Sequence, residues 1–84
     1  MNSKHRKTRA ELFTDPVNGN MKWSRIEALL VAMACTLIES SGSSVTFARN
    51  GRKLTIHRPH PGDDALKYRI KLVREFLRQL GEAP

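Results

Sequence analysis

Asn50-Gly51 is the feature that most narrows what this chain can fold into. A two-residue loop of type I′ needs positive φ at both central positions, which asparagine and glycine tolerate, and it joins two antiparallel strands. Taking these residues as the loop fixes the register of the flanking segments, 43–48 and 52–57. Arg49 then faces Arg52, Phe47 faces Leu54 and Val45 faces Ile56, so all four apolar residues share one face. The other face carries Thr46 opposite Thr55 and, at the open end, Ser44 opposite His57. A sheet with one apolar face belongs in a two-layer domain, covered on one side only.

The neighbouring segments supply the cover. Residues 36–40 read as a further short strand, with Ser41-Gly42 as its turn. Ahead of it, Ile26, Leu29, Leu30, Met33 and Leu37 follow helical spacing. Ser24 and Glu27 have the spacing of a capping box, with Trp23 just before the cap, and the helix is predicted to end near Ala34 or Cys35. After the hairpin, Gly62-Asp63-Asp64 reads as the start of a final helix. Leu66, Ile70, Val73, Leu77 and Leu80 form its apolar stripe, and Gly81 is its stop. Lys67, Lys71, Arg74 and Arg78 repeat the same spacing one residue on, as a continuous basic ridge beside the buried face.

The N-terminal residues stand apart. Lys4, His5, Arg6, Lys7 and Arg9 precede a small apolar edge of Ala10, Leu12 and Phe13, and Asp15-Pro16 ends any helix there. The expectation is a short basic helix that docks weakly or stays mobile, either holding phosphates or simply solvated. Residues 1–20 are therefore read as a basic extension and 21–84 as the domain. The fold class is α+β: helix, three-stranded antiparallel sheet and helix in two layers, with an extra N-terminal helix or arm.

A formal charge of +7 on 84 residues favours an anionic partner, nucleic acid or an acidic protein. Cys35 is the single cysteine, so no disulfide forms within the chain, and a cytoplasmic location is expected. The apolar run ending at Cys35 follows Glu27 and is too short to span a bilayer, so neither export nor a membrane partner is expected.

Chemistry concentrates in His57-Arg58-Pro59-His60-Pro61. The residues alone leave two readings open, a site or a stiff exit from the sheet whose imidazoles bond backbone groups. His57 and His60 with Asp63 and Asp64 close behind make an oxygen-rich, proline-fixed set that suits zinc poorly, and no metal or cofactor is expected.

The helix–strand–strand–strand–helix order is shared with double-stranded-RNA-binding domains, and the details more specifically resemble the HicA family of toxins. The matching residues are Gly42-Ser43, Asn50-Gly51-Arg52, Thr55-Ile56, His60-Pro61, Arg74 and Leu77-Arg78-Gln79-Leu80-Gly81. The resemblance implies the toxin component of a type II toxin–antitoxin system, an mRNA interferase blocked by a HicB-type antitoxin. That family usually has its catalytic histidine directly after the Gly-Ser pair, where this chain has Ser44.

The register suggests a replacement. Cross-strand side chains begin about 5 Å apart, so an imidazole from position 57 can occupy much the same space as one from position 44. His57 is thus the candidate catalytic histidine, and His60 a second acid or base, or a phosphate ligand. Metal-free RNA cleavage needs a base for the 2′-hydroxyl, an acid for the leaving oxygen and positive charge at the phosphate, and histidine suits the first two. Ser44, Lys53, Arg58, Lys67, Lys71 and Arg74 are the candidate RNA contacts. The alternative is a module that binds RNA or antitoxin without cleaving, having lost the family histidine.

Overall fold

In the computed structural model, which describes residues 2–40 and 42–84, three helices gather on one side of a three-stranded antiparallel sheet. The elements run α1 (Ser3–Leu12), α2 (Trp23–Ala32), β1 (Thr36–Glu39), β2 (Ser44–Arg49), β3 (Arg52–His57) and α3 (Lys67–Gln79), and the strands lie in the order β1-β2-β3. This is the α+β order expected from the sequence, N-terminal helix included. Ser41 lies outside the described residues, so of the expected Ser41-Gly42 turn only Gly42 is seen, at φ +70°.

The hairpin has the expected register, from Arg49 opposite Arg52 to Ser44 opposite His57. Asn50 and Gly51 both have positive φ, 52° and 75°, as a type I′ loop requires. Val45, Phe47, Leu54 and Ile56 are all buried. They meet Ile26, Leu29 and Leu30 of α2 and Ile70, Val73, Phe76 and Leu77 of α3 in one core. Trp23 closes the core at one end, its ring 6.2 Å from that of Phe47.

Several expectations need correction. Trp23 is the first helical residue of α2, and Ser24 is no cap: its backbone N–H and its hydroxyl both donate to the Asp63 carboxylate, at 3.0 and 2.6 Å. The Trp23 N–H donates to the Asp63 carbonyl at 2.6 Å. A helix start leaves such donors unpaired, and here a distant loop satisfies them. Asp63 therefore caps α2, and α3 begins only at Lys67. Leu66, placed on the buried stripe, is 51% exposed, and Phe76 takes its share of the core instead. At the end of α2, Ala34 sits at φ 66°, with the N–H groups of Ala34 and Cys35 returning to the carbonyls of Val31 and Leu30. That is the bonding of a Schellman cap with alanine where glycine is usual. Gly81 closes α3 in the same way, as expected.

The largest correction concerns α1. It does not dock weakly: Leu12 is fully buried in the core, and the buried Thr8 hydroxyl donates to the Lys4 carbonyl while accepting from Arg25. Arg25 also pairs with Glu11 at 2.9 Å. Arg74 of α3, 8% exposed, donates to the Leu12 and Thr14 carbonyls and to the Asp15 carboxylate. A cation at a helix C-terminus meets carbonyls with no partner inside the helix, which is why this buried charge is tolerated.

Candidate active site

Alternation of side chains along β3 sends His57, Thr55 and Lys53 to the open face and Leu54, Ile56 and the following Arg58 toward the helices. The Arg58 N–H donates to the Ser43 carbonyl at 2.9 Å, which makes 43/58 a hydrogen-bonded pair. Pair types alternate, so Ser44/His57 is a non-hydrogen-bonded pair, the kind whose side chains approach most closely. Thr46 and Thr55, two positions along, show the same geometry directly, their hydroxyl oxygens 2.8 Å apart.

His57 and His60 line one open cavity of about 450 Å³ with Ser43, Pro59, Leu66 and Arg69. The Ser43 hydroxyl lies 3.5 Å from His57 Nδ1, at the outer limit of a hydrogen bond, so the ring is only loosely oriented. Two clamps fix this segment, one between the histidines and one after them. Arg58 donates to both oxygens of Glu27, at 2.9 and 3.2 Å, and to Glu39 at 2.6 Å. Those carboxylates hold its pKa well above the usual guanidinium value. Glu27 in turn accepts from Trp23 Nε1 at 3.0 Å. After the histidines, Asp63 is bound to the start of α2, and Lys22 pairs with Asp64 at 2.6 Å. The segment is thus tied to the first turns of α2 at Arg58, between the two histidines, and again at Asp63, after them.

The other sequence-predicted residues divide. Lys53 is exposed on the open face with His57. Arg58 lines the cavity, but its guanidinium is occupied by two carboxylates, so it positions the segment rather than offering a free charge. Lys67, Lys71 and Arg74 are not brought to the histidines. At 100° per residue they occupy, with Arg78, one flank of α3. Arg74 holds the end of α1, Arg78 lies over the Phe13 ring at 5.5 Å, and Lys67 runs against Gly19. Lys67, Lys71 and Arg78 are exposed along this flank, and the ridge is interrupted only at Arg74, which is buried against the end of α1.

Arg69 was missed. It leaves α3 on the opposite flank, lines the histidine cavity, and is steadied by Tyr68, whose hydroxyl accepts from Nε at 3.0 Å. Its position two residues after Lys67 was the available signal, since it falls on the other side of the apolar stripe. Glu27, Glu39 and Asp63 were also missed as positioning residues, because their partners are distant in sequence. Among the described residues, no group of three or more His, Cys, Asp or Glu side chains is gathered to hold a metal ion.

The family model of the HicA toxin of bacterial toxin–antitoxin systems matches residues 23–82. The chain belongs to that family. Comparison with curated proteins and with solved structures gave no match. Membership in the HicA family makes the chain a toxin of the toxin–antitoxin kind, with an antitoxin as its partner. The match begins at Trp23, so α1 lies outside it. No helix among the described residues is long and apolar enough to cross a membrane.

Proposed function

We propose that this HicA-family chain is an mRNA interferase, a metal-independent endoribonuclease in which His57 and His60 form the acid–base pair. The observation that carries this reading is the cross-strand pairing of Ser44 with His57, which sets an imidazole opposite the position where the family keeps its histidine. One imidazole takes the proton of a ribose 2′-hydroxyl as its oxygen attacks the adjacent phosphorus. The other gives a proton to the 5′-oxygen as the P–O5′ bond breaks. The products are a 2′,3′-cyclic phosphate and a free 5′-hydroxyl. Arg69, which lines the cavity and pairs with no carboxylate among the described residues, supplies positive charge toward the phosphorane, Lys53 further along the open face contacts the RNA backbone, and Arg58 holds the segment in place.

The test is cleavage of structured and unstructured RNA in excess chelator, with the ends mapped. His57→Ala and His60→Ala are each expected to lower the rate by about 10²-fold or more, the usual worth of general acid–base catalysis. Arg69→Gln is expected to lower it at unchanged fold. If His57→Ala cleaves at the wild-type rate, the register names the wrong residue. RNA binding without cleavage by the wild-type chain would leave the non-catalytic module, which the loss of the family histidine at Ser44 favours.

A further inference from the structure

We propose that α1 is a second contact for the backbone of the same RNA, joined to the histidine cavity by one continuous groove. The inference rests on the reading of that cavity as an RNA site. Lys4, Arg6 and Lys7 are exposed on the first turns of α1, and none of the three pairs with a carboxylate among the described residues. They differ in this from Arg25, Arg58 and Arg74, whose charges hold the fold together.

The groove is traced by shared walls. Arg58 lines the histidine cavity and also a second depression of about 650 Å³, which runs over α2 to His5 of α1 and whose carboxylates, Glu27 and Asp63, are engaged by Arg58 and Ser24. His5 and Lys4 then line a third, of about 210 Å³, against Ser24 and Ala28 of α2. The path therefore leads from His57 past Arg58 to the first turns of α1, where Lys4 lines the groove and Arg6 and Lys7 stand on the same turns beyond its wall. Because Leu12 and Thr8 anchor α1 in the core, these charges are held at a fixed place relative to the cavity. Fixed cations beside a groove bind a polyanion at less ordering cost than a free tail would.

The test compares the full-length chain with its Lys4→Gln, Arg6→Gln, Lys7→Gln triple variant. It uses single-stranded RNAs from about 4 to about 16 nucleotides, the range of site sizes small nucleic-acid-binding domains cover. His57→Ala in both backgrounds prevents cleavage during titration. For the longer RNAs, the slope of log K against log salt should become shallower by about 2, at about 0.7 for each lost phosphate contact. For the shortest RNA, which fills the histidine cavity alone, the two chains should bind alike. Lys4→Gln alone should flatten the slope by about 0.7, and serves if the triple variant unfolds early in urea. An unchanged slope on long RNA, or an equal loss at every length, overturns the inference. So does a loss of affinity confined to an acidic partner protein. Absence of RNA binding by the parent chain would sink the RNA reading itself, and this inference with it.

Discussion

Arg58 and His57 are neighbours in sequence and point to opposite sides of the sheet. His57 stands on the open face, while Arg58 reaches back between Glu27 and Glu39. Composition alone invites both to be counted as site residues. Only alternation, once anchored by the hairpin, separates a side chain that faces solvent from one that ties a loop to a helix. Ala34 illustrates the opposite problem. Its left-handed φ of 66° belongs to the Schellman turn that ends α2, and nothing in an alanine announces it. An L-residue in that conformation is strained by roughly 1–2 kcal/mol. Ala34→Gly is accordingly expected to stabilise the fold by about 0.5–1 kcal/mol, after the greater chain freedom of glycine is set against the relieved strain. Urea denaturation checks this, and an unchanged or lowered midpoint would refute it.

At the scale of elements, periodicity located both main helices and the hairpin, because a buried face repeats at the period of its own backbone. Helix ends were less legible. Ser24 and Glu27 have capping-box spacing, yet the donors at the start of α2 are taken by Asp63, and Glu27 turns to Trp23 and Arg58. A cap supplied from far along the chain leaves no local trace. The burial of Arg74 within the charged flank of α3 was illegible for a related reason, since spacing marks which residues share a side but not what covers that side. Its test is Arg74→Met, which keeps the aliphatic bulk and removes three donors to the end of α1. The variant should lose about 2–4 kcal/mol, as the orphaned carbonyls of Leu12 and Thr14 lie against an apolar group. Amide hydrogen exchange should show α1 opening before α3. Equal protection of the two helices would mean that Arg74 is not what holds α1.

For the whole molecule, the decisive fact is that the family match begins at Trp23 while the core begins at Leu12. Leu12→Ala should cost about 2–5 kcal/mol, the range for a buried leucine, and a solvated arm would have cost almost nothing. Thermal denaturation decides between them. The arm looked free in sequence because its charges are dense and its apolar residues few, and burial of one leucine was enough to reverse that reading.

The two clamps on α2 have a mechanical consequence. The segment from His57 to Pro61 is tethered on one side through Glu27 and on the other through Asp63, both at the first turns of the same helix. Geometrically it is a handle fixed at two points to one shaft. His57, the last residue of β3, is held by the sheet as well, so the handle sets the span between sheet and helix across which the two imidazoles stand.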